Sequence, residues 1–576
     1  MSLMAALALP GASQAMAQNV QGKPIRAEQL ANDNWLLHVS PQETAKYLLL
    51  PVEDKAPEAH LKLIVDNQLC RNIDVRMALH KIDYYVPVVL DEFRGHNLVV
   101  QAHMNIDRSN RGGVGSEICW ANIRLSDTFD QTNRERFRPL YHHTPVYGWM
   151  NDPNGMFYKD GTWHLFYQYN PYGSMWGNMN WRHSTSRDLL TWNDEGVAIA
   201  PDAHGAIFSG SCVVDEKNTA GFGAGAVIAL YTSAGDVQSQ SLAYSTDGGR
   251  TFTPYAGNPI LTADVPDFRD PNMFWNDDIN AWNLILAVGQ EMRIYSSPNL
   301  KDWKEESRFG LGYGNHDGVW ECPDLFPLAV DKSSKTKWVL VCNINPGGPF
   351  GGSATQYFVG DFDGHKFTCD SAPQVTKWMD WGKDHYATVS FWGAPKDRRI
   401  VLAWMSNWQY ANDAPTMQYR SANSIARDLG LFQDGGEWYV SVKPSPEMLA
   451  ARGKKLKSPT EACEMVIDLK GSATITLANA KGEKVVMTYD DDARTFSMDR
   501  TQSGNVAFSE AFPCTTVAPT HGRIKQLRIF IDRCSIEAFD ADGHVAMTNL
   551  VFPSEPYNSV KVKGGKATIW EMKSEK

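Results

Sequence analysis

The chain has 576 residues, 43% of them hydrophobic and 21% charged, and a formal net charge of -11 at pH 7; it carries enough apolar surface for several buried cores, and its length alone predicts roughly three or four globular domains. The acidic balance comes without a run of Lys or Arg, which argues against nucleic acid or an anionic membrane surface as partner, and no segment is apolar for long enough to span a bilayer. A neutral ligand fits better: aromatic residues make up 11% of the chain, with 19 Trp, and many fall beside Asn, Asp and Gly, as in "NMNWRHS" and "SFWGAP", a mixture of apolar plates and hydrogen-bonding groups that suits a carbohydrate.

The start, "MSLMAALALPGASQAMAQN", sets an apolar run from Leu3 to Leu9 before the small-residue pattern Ala15-Met16-Ala17. Residues 1–17 are therefore expected to be a signal peptide cleaved before Gln18, and the protein to be exported, periplasmic or extracellular. The basic end of the leader is missing, since the first basic residue is Lys23. Nine cysteines lie scattered without CxxC spacing; the odd count leaves at least one thiol unpaired, and no disulfide framework can be read, Cys70 with Cys119 and Cys463 with Cys514 being no more than guesses.

From 20 to 135, segments such as "HLKLIVDN", "YYVPVVLD" and "HNLVVQAHM" alternate apolar and polar residues and predict a small β-sandwich-like module. From 138 to 445 one pattern recurs five times: an apolar strand, "WHLFYQYN" from Trp163, "VIALYTSAG" from Val227, "WNLILAVG" from Trp282, "KWVLVCNIN" from Lys337 and "RIVLAWMSN" from Arg399. Four of the five lead into a second strand and an Asp, Gly or Asn turn, as in "LAYSTDGGRTF" and "IYSSPNLKDW". Four-stranded blades produce that pattern, so a five-bladed β-propeller is expected, with a large β-sandwich as the alternative. "PSPEMLAARGKK", from Pro444 to Lys455, leads through a linker at 446–458 to a C-terminal β-sandwich at 459–576, where Asp490–Asp492 reads as an acidic hairpin loop in preference to a calcium site. The fold class is all-β.

If each apolar strand is the second of its blade, the stretch just before it is the innermost strand, running along the central channel. Those stretches carry Asp152 in "MNDPNG", Ser209 in "FSGS", Asp270 in "FRDPN", Glu321 in "WECPDLF" and Asp384 in "KDHYATVSF". Taken alone, Asp-Pro and Asn-Gly indicate a turn. Four carboxylates aimed at one end of a channel repel one another, however, and such crowding indicates chemistry. Hydrolysis of a glycosidic bond needs one carboxylic acid to protonate the leaving oxygen and one carboxylate to attack carbon or activate water. Asp152, expected in a turn among backbone N–H donors, is assigned the ionised role; Glu321, between Trp320 and Cys322-Pro323, the protonated one; Asp270, beside Arg269, is expected to stay a carboxylate and hold sugar hydroxyls.

Together "WMNDPNG", "FSGS", "FRDPN", "WECPDLF" and the C-terminal "IDRCSIEAFDADGHVAMTNLVFP" resemble the glycoside hydrolase family 32 enzymes: invertases, inulinases, levanases and other β-fructosidases. The resemblance runs from about Arg138 to the C-terminus. It implies a propeller followed by a β-sandwich, cleavage with retention, no metal or cofactor, and a fructan, fructo-oligosaccharide or sucrose as substrate. It also implies Asp152 as nucleophile, Glu321 as acid/base and Asp270 as transition-state stabiliser, with Asn151, Gln168, Trp176, Phe208, Ser209, Arg269, Asp384 and Trp404 around the terminal fructose. This chain has "ARDL" at Ala426–Leu429 where many relatives read "PREL", and Ala403 where "GWM" is common. Exo action is the leading expectation; an endo-levanase, a fructosyltransferase and an inactive fructan-binding protein are the alternatives. Cys322 reads as a packing neighbour without a His base, and His142 and His143 as surface or strand residues.

Overall fold

The computed structural model describes residues 16–18, 24–31, 34–39, 45–104, 117–132, 134–330 and 335–573. The expected leader, 1–17, lies outside these residues except for Met16 and Ala17, whose backbone belongs to a short strand, Met16–Gln18, paired with Pro24–Ala31.

Between Gly148 and Pro444 the chain forms five successive sheets of four or five strands. The five repeated apolar segments are the second strands of these sheets: Thr162–Asn170, Ala226–Ala234, Ala281–Val288, Thr336–Asn345 and Ile400–Trp404. Each is buried on both faces, which is why it reads as an unbroken apolar run instead of an alternating one. The first strands are β1 (Gly148–Lys159), β2 (Ala206–Asp215), β3 (Phe268–Asn276), β4 (Val319–Ala329) and β5 (Tyr386–Ser390). They touch in cyclic order, β1 to β2 to β3 to β4 to β5 and back to β1, and so ring a central channel.

Every first strand is bulged near its start. The pairing register slips between Met150 and Pro153, Ile207 and Gly210, Arg269 and Asn272, Glu321 and Asp324, and Tyr386 and Val389. A bulge bends a strand and turns a side chain away from the pleat, here toward the channel mouth. The local sequence permits it. Pro271 and Pro323 fall in bulges on the edge strands of their sheets, and Pro153 in a bulge beyond Gly148 and Trp149, the two residues through which β1 also pairs with Tyr419–Arg420, so at each a missing N–H costs no ladder bond. Asp270, Cys322 and Ala387 have φ of 66°, 42° and 54°, left-handed values that L side chains resist and that a bulge imposes.

"NDPNG" therefore does not make the expected turn. β1 runs through it from Gly148 to Lys159, because Pro, Asn and Gly serve a bulge as readily as a turn. Gly155 has φ of 54°, and a Cβ there would lie 2.8 Å from the Trp181 ring and 2.9 Å from that of Phe166. Position 155 thus has both a backbone and a packing reason to be glycine.

The C-terminal strands share one nine-stranded sheet that doubles over. Cys463–Ala478 pairs with Gln526–Asp532 through its first half and with Lys484–Asp490 through its second, changing layer around Gly471, whose φ is 133°. Ser559–Met572 accompanies it along both halves, and the apolar faces of the two layers enclose a core that includes Met465, Ile475, Met487, Phe496 and Ile529. Part of the expected linker already belongs here, since Arg452–Leu456 pairs with the last strand. Asp490–Asp492 lies at a hairpin turn, with Asp491 accepting from Tyr489 Oη and Arg494. All nine cysteines are unpaired, so neither suggested disulfide forms. The N-terminal module packs a six-stranded sheet against a three-stranded one around Trp35 and Trp120, whose rings stack at 4.3 Å.

Propeller and C-terminal sandwich are joined by buried charge. Arg427 bonds Asp380 of the propeller at 2.7 Å and Glu537 of the sandwich. His142 is bonded through Nδ1 to Asp532 at 2.8 Å and through Nε2 to Glu537 at 2.7 Å. Burial alone would lower its pKa, but the two carboxylates raise it to about 9, so both ring nitrogens donate. His142 is thus neither a surface nor a strand residue: it ties two domains together. His143, also buried, bonds Asn423 at 2.7 Å and Ser184 at 3.0 Å.

Candidate active site

The bulged ends of the first strands meet at a cavity of about 400 Å³. Nine of the eleven residues expected in the site line it: Asp152, Asp270 and Glu321, with Asn151, Gln168, Trp176, Phe208, Ser209 and Arg269. Two larger hollows contain none of the eleven. One, of about 720 Å³, is lined by Met156, Trp275, Asp324 and Arg399 among others. The other, of about 610 Å³, includes His143, Trp192 and Asp194 in its lining.

Asp384 and Trp404 are elsewhere. Asp384 lies two residues before β5, wholly buried, where it accepts from Arg500 and from Leu550 N at 2.7 Å, both in the sandwich, and from Tyr410 Oη at 2.5 Å. It anchors the domain interface. Trp404 is also fully buried, behind the cavity wall, with its ring 4.7 Å from that of Trp408 and 6.4 Å from that of Tyr386. Its part is to back those two rings. The fifth sheet contributes Tyr386 in place of Asp384, and Gln238, Asp267, Asn345 and Trp408 complete the lining. None of these five was anticipated. A Tyr inside the apolar stretch "HYATVSF" reads as core, and Trp408 follows a strand the pattern had already assigned to packing.

Asp152, in the bulge of β1, accepts from Ser209 Oγ at 2.8 Å, Asn151 Nδ2 at 3.1 Å and Cys322 Sγ at 3.3 Å. Side chains, not the expected backbone N–H groups, hold it. Burial and then the nearby Glu321 raise its pKa from 3.8 to about 6, against the lowering effect of those three donors. Asp270 accepts from the Cys322 N–H at 2.9 Å, and its own N–H donates to Thr232 Oγ1 at 3.0 Å. It was expected to be kept ionised by Arg269. Instead burial, Glu321 and Asp152 outweigh the guanidinium and push it up to about 7.

Arg269 serves Glu321 instead, donating from Nε to Oε1 at 3.1 Å, while its Nη1 donates to Asp267 at 2.6 Å. The other Glu321 oxygen accepts from the Tyr386 hydroxyl. The apolar setting expected for Glu321 is thus replaced by a polar one. Strand alternation sends Trp320 into the core, with its ring stacked on His316 at 4.7 Å, and turns Glu321 to the cavity. Burial, then Glu321, hold the Tyr386 phenol far above its usual value, so it remains a donor. Burial and the neighbouring carboxylates likewise keep Cys322 a thiol, within reach of both Asp152 and Asp270. A thiol so placed donates and does not attack.

Two carboxyl groups raised by burial and by their neighbours' charge thus stand beside a third oriented by a guanidinium and a phenol, an acidic cluster of the kind that acid–base chemistry uses, and the aromatic wall of Trp176, Phe208 and Trp408 gives a sugar ring an apolar face to pack on.

Residues 142–441 match the "Glycosyl hydrolases family 32 N-terminal domain" and residues 440–574 the "Glycosyl hydrolases family 32 C terminal"; residues 31–141 match a "Domain of unknown function (DUF4980)". The chain belongs to glycosyl hydrolase family 32. It is 44% identical over 455 residues to a levanase of Bacillus subtilis, spanning 73% of this chain and 67% of the relative. It is 38% identical over 505 residues to an extracellular exo-inulinase of Aspergillus niger, spanning 75% and 92%. The crystal structure of the exo-inulinase from Aspergillus awamori superposes with a TM-score of 0.72 at 34% identity, covering 77% of this chain and 99% of that one.

Proposed function

We propose that the protein is a retaining β-fructosidase that releases fructose from the non-reducing ends of fructans, fructo-oligosaccharides or sucrose. Asp152 attacks the anomeric carbon of the terminal fructosyl unit while Glu321 gives its proton to the departing glycosidic oxygen. Glu321 then takes a proton from the water that breaks the fructosyl–Asp152 ester. Asp270 holds fructose hydroxyls, and Arg269 and Tyr386 keep the Glu321 carboxyl oriented through its change from acid to base. The observation that carries this reading is the convergence of three acidic residues, from β1, β3 and β4, on one cavity with an aromatic wall. Relatives named levanase, exo-inulinase and invertase support the substrate class, and the word extracellular in several of their names supports export to the periplasm or beyond.

Incubation with levan, inulin and sucrose in parallel tests it, with products resolved over time. Fructose is expected as the sole early product from at least one polymer. Intermediate-length oligosaccharides at early times would mean endo cleavage, products longer than the donor at moderate sucrose would mean transfer, and no product from any of the three would contradict the proposal.

A further inference from the structure

We infer that the N-terminal module is a positioning element of the fructosyl pocket: it grips the loop 171–178 and thereby fixes Trp176 at the pocket mouth. The inference rests on reading the cavity as the fructosyl site. The family 32 matches begin at residue 142, so they assign nothing to this module, and none of the residues lining the cavity belongs to it. It therefore acts on the site through what it touches.

What it touches is the loop on both sides of Trp176. Before that residue, the Tyr172 ring inserts into the module's own core, with its hydroxyl accepting from Arg71 at 3.4 Å. Ser174 is wholly buried; its N–H donates to the Tyr84 hydroxyl at 3.3 Å, its Oγ lies 3.2 Å from the same oxygen, and that Oγ also donates to Asp54 at 3.3 Å. After Trp176, the Asn178 amide pairs with the Asp74 backbone in both directions, accepting from its N–H at 2.8 Å and donating to its carbonyl at 2.9 Å. Asn178 thus extends the module's edge strand, Gln68–Val75, by one pairing.

Trp176 itself is 44% exposed, with its ring edge-on to Phe208 at 6.1 Å and Trp408 at 6.4 Å. Burial of its own does not fix a ring that open. A loop ordered only when substrate arrives would spend binding energy on that ordering, and a frame that orders it beforehand removes the cost from KM. The propeller holds the loop from its own side, through Asn170 to Tyr172 N, Met175 O and Asn178 and through Asn412 to Trp176 N, and Asp54, Arg71, Asp74 and Tyr84 complete that hold from the module.

The test uses the full chain. Tyr84→Phe combined with Asp54→Ala removes the side-chain partners of Ser174; Asn178→Gly, which suits the φ of 47° there, removes the pairing with Asp74, and with it a bond to Asn170, without changing a residue of the module. Each is made alone and with Trp176→Ala, and KM and kcat on an inulin oligosaccharide are measured beside the thermal unfolding midpoint. Losing such bonds is expected to raise KM about three- to tenfold while kcat stays within about twofold. In the Trp176→Ala background the same changes are expected to add nothing, because their effect passes through that ring. An unchanged KM in folded variants, or an increase that multiplies with that of Trp176→Ala, overturns the inference. So does a Trp176→Ala enzyme with normal KM, which removes Trp176 from the site altogether. Failure of the fructosidase reading itself is seen separately, in wild-type protein that releases no fructose.

Discussion

Asp152→Asn and Glu321→Gln are each expected to lower kcat for fructose release by about three orders of magnitude or more, while substrate still binds within about tenfold of the wild-type affinity. Asn is nearly isosteric with Asp and can still accept from Ser209 and Cys322, so the cavity keeps its shape, but an amide does not attack an anomeric carbon. Gln at 321 can still accept from Arg269 through its carbonyl oxygen and donate from its amide to the Tyr386 oxygen, and it has no acidic proton to give a leaving alkoxide. Both substitutions thus remove an interaction made in the transition state and spare ground-state contacts, which places the loss in kcat. Steady-state fructose release with calorimetric binding of an inulin oligosaccharide measures both quantities. Near-normal turnover in either variant would contradict the assigned roles.

The second large effect is a pH dependence in which activity and stability run in opposite directions. Asp152 must be ionised to attack, and burial with the nearby Glu321 has raised its pKa to about 6. The acid limb of kcat/KM is therefore expected near pH 6, well above the value of an exposed aspartate. For stability the sign is the reverse. A carboxyl whose folded pKa lies above its unfolded value binds its proton more tightly in the native state, so the protein is penalised above about pH 6 and relieved as pH falls toward 4. Asp152→Asn, neutral throughout, is expected to unfold about 1 °C higher than wild type at pH 7.5 and to lose that advantage near pH 4. Since Asp152 has one face open to the cavity, the gain is about 1 kcal/mol, less than its pKa shift alone implies. Asp270→Asn is expected to move the same way, its carboxyl being raised by burial first and by both neighbouring carboxylates. A variant less stable than wild type at pH 7.5 would show that the site is not strained by charge. Such strain is what a catalytic cluster costs a fold.

The propeller was legible because its second strands are buried on both faces and so recur as unbroken apolar runs, which also located the first strands just before them. Asp152, Ser209, Asp270 and Glu321 followed from that placement. The fifth position did not: Asp384 is the same residue type in the same apparent slot, yet its partners, Arg500 and Leu550, come from a domain more than a hundred residues further on, and nothing local marks it as an interface anchor. His142 was obscured in the same way, since Asp532 and Glu537 meet it only in the folded chain. The bulges were hidden for another reason: "NDPNG" and "FRDPN" use the vocabulary of turns, and only the ring of five first strands decides that Pro and Gly here bend a strand instead of ending it. Local signals located the acidic residues; which of them share a cavity is decided by long-range packing.

The claim that Asp152 carries the fructosyl unit is tested most directly by mass spectrometry of Glu321→Gln protein quenched during reaction with a fructoside bearing an activated leaving group, whose departure needs no acid. The expected result is one anhydrofructose unit added to the digest peptide that contains Asp152, absent when Asp152→Asn is combined with Glu321→Gln. An adduct on a different peptide, or none together with fructose released in the inverted configuration, would contradict it.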